Sequence, residues 1–280
     1  MLTRGRSAGA YYSTLTDLLT FGSAILSHKA LPATWTRAWL KPVSGTSSRG
    51  MLMGAPWEIY HAWNVTGDGR LVELYTKSGD LFAYHANLVL VPDYDLALAV
   101  LTAGPEVGFG AVQALTAAAV RALLPAAEAA GRAEAEPVYA GAYADAATNS
   151  TLRLALDTAP GLRATDFLVR GVDVAANYAR LSPSGGRPGP PARVRLYPTN
   201  LDGGGQKAWR ASFDAPFDAA AAAKADAAFP WPDPGCVAWA TGDRVAYGFE
   251  GVDLLVFDVD EGGRATAVSL PAWDVTLKRQ

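Results

Sequence analysis

The first 125 residues alternate between helical and extended hydrophobic patterns. Apolar residues recur at helical spacing over 15–26, behind Thr14, which suits an N-cap, and Pro32 opens a second, shorter helix. Extended apolar runs follow at 57–63, 71–77, 84–91 and 96–102. The short link 92–95 predicts an antiparallel hairpin between the last two runs. An Ala/Leu/Val-rich run predicts a helix over 109–124 that covers the sheet.

The pattern changes after Val138. Gly, Pro, Asp and Asn turns separate short alternating runs at 152–156, 162–169, 194–197, 208–213, 245–249, 254–259, 265–270 and 275–277. Such spacing is typical of an all-β sandwich or barrel. The Ala/Glu-rich stretch 126–136 is interpreted as a linker or a helix extension.

We therefore predict an α/β (α+β) chain with two domains. Residues 1–125 form an antiparallel sheet with flanking helices, and residues 137–280 form a β-rich domain, a barrel or lipocalin-like fold. The stretch 126–136 links them.

Composition and charge exclude several classes of function. The net charge is −3 with no Lys/Arg cluster, so nucleic-acid binding is not expected. One cysteine, Cys236, excludes an internal disulfide framework and a Cys-based zinc site, and three distant histidines do not favour a metal site. We expect no metal or organic cofactor. No apolar run approaches about 18 residues, so no membrane span is expected, and no signal peptide is visible.

One tripeptide closes a predicted strand. Lys77-Ser78-Gly79 ends the run 71–77, and alone it is most simply a solvated lysine at a strand end. The surrounding segments of the sequence favour a functional interpretation of this tripeptide. The segments that resemble a known family are Ser7–Thr14, Trp39–Val43, Gly54–Glu58, Tyr75–Leu81 and Val91–Leu96.

Together these segments resemble the C-terminal half of the serine β-lactamase and penicillin-binding protein family. The resemblance is greatest to β-lactamase-like serine hydrolases of fungi, which carry an appended β-rich domain. It covers about 1–124, and 137–278 is similar to the appended domain.

The resemblance implies acyl transfer on an amide or ester substrate. Lys77 would supply positive charge for a substrate carboxylate, and Ser78 would hydrogen-bond that carboxylate. Gly79 would leave room for substrate, and the backbone N–H of Asp80 would be one oxyanion donor.

Three further residues are candidates for substrate contact. His85 would reach substrate if it faces the groove, and the alternative is a half-buried, hydrogen-bonded histidine. Tyr11 and Tyr12 would line the cleft, and the alternative is that they are core aromatics.

The chain departs from the family in one decisive respect. It contains no Ser-x-x-Lys, which supplies the family's nucleophile, and no Tyr-x-Asn or Ser-x-Asn. Both elements would precede the helix that begins near Thr14. We therefore interpret the chain as the C-terminal portion of a family member, inactive by itself.

Two alternatives remain open. The chain could be a non-catalytic module that binds a ligand or a protein. It could also be an esterase using Ser7, because residues 5–9 fit Gly-x-Ser-x-Gly. Only four residues precede Gly5, which leaves no room for the strand that such an elbow needs, and the last histidine is His85.

Two expectations concern partners and localisation. In the family, strand 96–102 pairs with a strand from the front half, so here we expect an open edge that binds the missing half or a second copy. The sequons at Asn64-Val65-Thr66 and Asn149-Ser150-Thr151 agree with secretion, but localisation stays open.

Overall fold

The computed structural model of the 280-residue chain describes residues 11–181, 191–214, 219–228 and 245–280. The chain divides into two compact units, Met1–Ala130 and Gly131–Gln280. Each unit has its own hydrophobic core. Ser7 and Cys236 lie outside the described residues.

The first unit is an antiparallel sheet with helices. Its helices are α1 (Leu15–Leu26), α2 (Ala33–Trp39) and the start of α3 (Phe109–Tyr139), and its strands are β1 (Ser44–Gly45), β2 (Met51–Met53), β3 (Glu58–Ala62), β4 (Val72–Leu81), β5 (Tyr84–Val91) and β6 (Leu96–Ala103). The six strands pair in sequential order, and every pair is antiparallel. As predicted, the Thr14 side chain accepts a hydrogen bond from the Asp17 amide at 3.1 Å and caps α1.

Helices cover both faces of this sheet, because neighbouring residues of a strand point to opposite faces. On β5, Val89 and Val91 pack with Val120 and Leu124 of α3. The alternate residues of the strand, Leu88 and Leu90, pack in a second core that includes α1. The sheet therefore has an α3 face and an α1 face.

Helix α3 includes the stretch 126–136. Of the two interpretations of that stretch, the structure shows the helix extension, since α3 continues through Pro125 to Tyr139. A proline inside a helix costs about 3 kcal/mol, but the residues that follow Pro125 are mostly Ala and Glu, which favour the helix. The division between the two units falls inside α3, with no break in its helical structure.

Among the residues that the structure describes, one segment is long and apolar enough to cross a membrane by length and composition. An 18-residue window of α3 has a mean hydropathy of 1.4, so the expectation that no apolar run reaches that length is wrong. A single such helix is weak support for a span. Core helices meet the same criterion, and α3 buries Val112, Thr116, Val120 and Leu124.

The second unit is a closed barrel. Its elements are β7 (Gly141–Asp145), β8 (Ser150–Ala155), β9 (Leu162–Val169), β10 (Val172–Asp173), α4 (Val174–Leu181), β11 (Arg193–Gly203), β12 (Gln206–Asp214), α5 (Ala219–Ala228), β13 (Ala246–Tyr247), β14 (Glu250–Gly251), β15 (Leu254–Val259), β16 (Ala265–Leu270) and β17 (Val275–Arg279). Eight strands pair in the order β9-β11-β12-β15-β16-β17-β7-β8, and β8 pairs back to β9. The predicted α+β class with a following barrel is confirmed.

Aromatic side chains fill part of the barrel core. The Phe257 ring lies 5.2 Å from Tyr139, 6.0 Å from Tyr143 and 5.7 Å from Trp209, measured between ring centroids. Phe257 and Tyr143 are fully buried. Such edge-to-face contacts add to the stabilisation that burial gives.

Local patterns missed some elements of this unit. The predicted strand 245–249 is wrong beyond Tyr247, because Gly248 and Phe249 adopt positive φ angles of 63° and 70° and turn the chain back into β14. Strand β7 and helix α4 were not predicted.

Candidate functional site

Strand β4 extends beyond the end of its neighbour β3. The β3–β4 pairing stops at Glu58 opposite Thr76, whereas the β4–β5 pairing continues to Leu81 opposite Tyr84. The predicted strand end at Lys77 is therefore wrong, because pairing with β5 holds the next four residues extended. Within the described residues, 77–81 have a strand neighbour on one side only, and we call this side the open edge.

Backbone amides point out of the open edge. The Ser78 N–H donates to Glu58 Oε2 at 3.3 Å, so this group points away from β5. In an antiparallel ladder, residues two apart direct their N–H groups to the same side. The Asp80 N–H therefore points to the open edge as well, as an oxyanion donor would have to.

The carboxylate of Glu58 lies against this edge. Its Oε1 accepts hydrogen bonds from Lys77 Nζ at 2.5 Å and from Ser78 Oγ at 2.9 Å. Lys77 Nζ also donates to the carbonyl oxygen of Ser78 at 3.0 Å. A cation, a hydroxyl and a backbone amide thus converge on one carboxylate, and we call this arrangement the Glu58 cradle.

Two neighbouring tyrosines have raised pKa values. Burial raises the pKa of Tyr60, and the negative charge of Glu58 raises it further. Burial also raises the pKa of Tyr75, whose hydroxyl donates to Glu73 at 2.6 Å. Neither phenol adds negative charge beside the cradle.

The structure does not bring His85 together with Lys77. His85 pairs with Asp80 and Lys77 pairs with Leu88, so the two side chains leave the sheet on opposite faces. His85 is buried, its Nε2 lies 2.5 Å from the carbonyl oxygen of Val107, and its Nδ1 lies 2.8 Å from Asp80 Oδ1 without the alignment of a hydrogen bond. A substrate contact by His85 stays a prediction.

The remaining predicted site residues differ in their surroundings. Gly79 faces open space except for Ala86, whose Cβ would lie 3.7 Å from a Cβ added at Gly79. Tyr11 and Tyr12 are 92% and 94% exposed, and a cleft role for them stays a prediction.

No metal site is evident in the parts of the chain that the structure describes, since these contain no group of three or more His, Cys, Asp or Glu side chains that could hold an ion.

The barrel unit carries a separate pocket of about 670 Å³. Its lining includes Val169, Arg170, Val172, Tyr247, Ala272 and Trp273. Arg170 donates one hydrogen bond to the carbonyl oxygen of Trp273 at 3.3 Å. The walls are mainly apolar, and Arg170, Asn177 and Asp274 add polar groups.

Residues 131–280 match a family model described as "Beta-lactamase-like-like, C-terminal domain". The chain belongs to this beta-lactamase-like family. The resemblance inferred from the sequence is thereby confirmed.

Two curated relatives extend the match to nearly the whole chain. "Beta-lactamase-like protein" of Arthroderma benhamiae is 29% identical over 294 residues, covering 94% of this chain and 47% of the relative. "Probable hydrolase clz13" of Cochliobolus lunatus is 24% identical over 260 residues, covering 86% of this chain and 40% of the relative. The chain thus spans less than half the length of each of these two relatives.

A likeness to a solved structure is weaker. "Crystal structure of SurE with D-Leu" aligns with a TM-score of 0.31 and 16% identity, covering 96% of this chain and 50% of that one. A similarity at this level carries no conclusion about the beta-lactamase-like chain.

Sequence reasoning missed the role of Glu58. The residue lies in one of the segments that carry the family resemblance, but no function was assigned to it. Its contact with Ser78 depends on where β3 stops along β4, which is a matter of register between strands. The one signal in the sequence is that Glu58, a carboxylate, is the first residue of β3, the strand that pairs with the strand of Lys77.

Proposed function

We propose that this chain supplies the Lys-Ser-Gly wall of a serine hydrolase or acyltransferase that acts on an amide or ester. In this role Lys77 and Ser78 bind a substrate carboxylate, and the Asp80 N–H stabilises the oxyanion. We further propose that the chain alone does not turn over substrate, because it contains no Ser-x-x-Lys.

The open edge of β4 is the observation that supports this proposal. The N–H groups of Ser78 and Asp80 point the same way, beside a lysine and a hydroxyl. Removing one oxyanion donor typically lowers kcat by about 10²- to 10³-fold. The second donor and the nucleophile would come from chain beyond these 280 residues, and both relatives are more than twice as long as the part they share with it.

The proposal predicts different behaviour for the chain alone and the chain completed. The 280-residue protein is incubated with a chromogenic cephalosporin and with p-nitrophenyl acetate, and no burst of product is expected. The same chain is then joined to the part of the Arthroderma relative that it does not align to. This completed protein should show a burst and turnover with at least one of the two substrates.

Variants of the completed protein locate the chemistry. Lys77→Ala should lower kcat/KM by about 10²-fold, in the range of lost electrostatic stabilisation. Lys207→Ala is the matched control, because Lys207 forms an exposed ion pair with Asp202 in the barrel, and it should leave kcat/KM unchanged. A folded completed protein with no turnover, or equal loss in both variants, contradicts the proposal.

The same assays separate the alternatives. Turnover by the 280-residue chain that Ser7→Ala abolishes would establish the esterase instead. The barrel pocket favours the second alternative, a non-catalytic binding module. Three results together would support that alternative. A small molecule stabilises the chain, Tyr247→Ala removes this stabilisation, and the completed protein is inactive.

A further inference from the structure

The Glu58 cradle has the composition of a carboxylate-binding site. Lys77 Nζ and Ser78 Oγ both donate to Glu58 Oε1, and the Ser78 N–H donates to Oε2. Hydrogen bonds in which one or both partners are charged are stronger than neutral ones. The two carboxylate oxygens are therefore bound separately, as they would be in a complex with a small carboxylic acid.

In the structure the bound carboxylate belongs to the protein itself. Glu58 begins β3, and the only residues of β4 beyond it are those of the open edge. Its side chain thus fills the space that a ligand would need in order to reach Lys77 and Ser78 together.

We propose that Glu58 is an internal competitor, whose carboxylate occupies the position that a substrate carboxylate takes on the β4 wall. The inference rests on the proposed function, because it assigns Lys77 and Ser78 to substrate binding. It adds a condition for binding, which is that a carboxylate ligand binds only when the Glu58 side chain moves away from Lys77 and Ser78.

Displacement is compatible with the surroundings of the cradle. The Lys77 side chain is 43% exposed and that of Glu58 is 18% exposed, so water reaches the ion pair. The pair is therefore half-buried, and its contribution to stability lies between that of an exposed pair, which is small, and that of a buried one. The apparent affinity of a ligand falls in proportion to the fraction of protein in the competent state, here the state with Glu58 displaced.

A purely structural ion pair between strands is the competing interpretation. Under that interpretation, removing Glu58 changes stability and does not create affinity for carboxylates. The two interpretations therefore separate in a binding measurement on the 280-residue chain, which needs no turnover.

The probe is 4-fluorobenzoate, followed by ¹⁹F NMR titration. Glu58→Ala should bind it at least tenfold more tightly than the unaltered chain. Glu58→Gln, which keeps the shape of the side chain and removes its charge, should show a smaller gain. It also guards against a result caused by misfolding of the alanine variant.

Three controls make the result specific. The double variant Glu58→Ala/Lys77→Met should lose the gain, because the cation is removed. Glu73→Ala removes another carboxylate of the same sheet, one that accepts from Tyr75, and should bind like the unaltered chain. The uncharged 4-fluorobenzamide should gain nothing from Glu58→Ala.

Equal binding by the unaltered chain and both Glu58 variants, including no binding by any of them, overturns the inference. A gain that persists without Lys77 overturns it as well. Failure of the proposed function appears separately, as a completed protein that folds but does not turn over. A carboxylate gain in that case would leave Glu58 as a competitor at a binding site.

Discussion

The antiparallel strands of one unit close into a barrel, whereas those of the other form an open sheet. The barrel joins β8 back to β9, so each of its eight strands has two neighbours. The sheet of the first unit ends at β1 and β6, and β4 extends past β3. Closure satisfies the backbone groups of a strand, whereas an open edge leaves them available. The candidate site lies on the open sheet for this reason.

The two units also differ in the chemical character of their buried side chains. Phe257 and its aromatic neighbours fill the barrel core. The sheet unit buries several polar side chains near β4 and β5, among them Thr76, His85, Asn87 and Thr116. Polar groups in a core need partners and fix particular arrangements, while apolar groups mainly add stability. The barrel unit also buries polar side chains, Ser150, Ser212 and Asp253, so the sheet differs in gathering several of its buried polar groups on or beside the strands that carry the candidate site.

The largest expected effect is a loss of stability in the barrel. Phe257→Ala should lower the free energy of unfolding by about 4 kcal/mol, because it removes a large buried side chain and leaves a cavity. Urea unfolding of the 280-residue chain, followed by far-UV circular dichroism, measures it. Phe82→Ala, which truncates a side chain that is 85% exposed at the tip of the β4–β5 turn, is the control. A loss below about 1 kcal/mol would contradict the description of this core.

One chemical change made in both units sharpens the comparison. Gly161 lies in the barrel with φ of +76°, and a Cβ there would stand 2.6 Å from the carbonyl oxygen of Leu196. Gly161→Ala should therefore cost about 3 kcal/mol, from strain and overpacking together. Gly79→Ala should change stability by less than about 0.5 kcal/mol, since its added methyl meets only Ala86 at an ordinary distance.

The two glycine variants are compared by thermal unfolding. If Gly79→Ala is as damaging as Gly161→Ala, then Gly79 has a structural role, and open space beside the β4 wall would not explain why glycine stands there.

The sequence pattern predicted those elements whose signals are local. Strands β5, β9, β15 and β16 lie where the apolar runs predicted them, and Thr14 caps α1 as expected. The prediction failed where pairing with another strand determines the backbone conformation. Gly79 and Asp80 are poor strand residues, yet β5 holds them extended.

The candidate site was predictable only in part. Lys77 and Ser78 were found through a family resemblance to a short motif. The position of Glu58 follows from the β3–β4 register, and the direction of the Asp80 N–H follows from that of the Ser78 N–H two residues earlier on the same strand. Register is set by side-chain packing across strands and by turn geometry. A one-dimensional pattern of apolar residues contains neither.

The smallest expected effect concerns the outer edge of β6. Within the described residues β6 pairs only with β5, so its other side can accept a strand from another chain. We expect the 280-residue protein to associate with itself in sedimentation velocity runs at increasing concentration. Leu101→Lys places a charge on this edge strand and should weaken association about tenfold, or about 1.4 kcal/mol. Leu123→Lys is the matched control, because Leu123 of α3 is 40% exposed and Leu101 is 39% exposed. An unaltered chain that stays monomeric at every concentration, or equal weakening by both lysines, would show that the edge is not the contact. The open sheet would then differ from the barrel in its site alone, and not in its need for a partner.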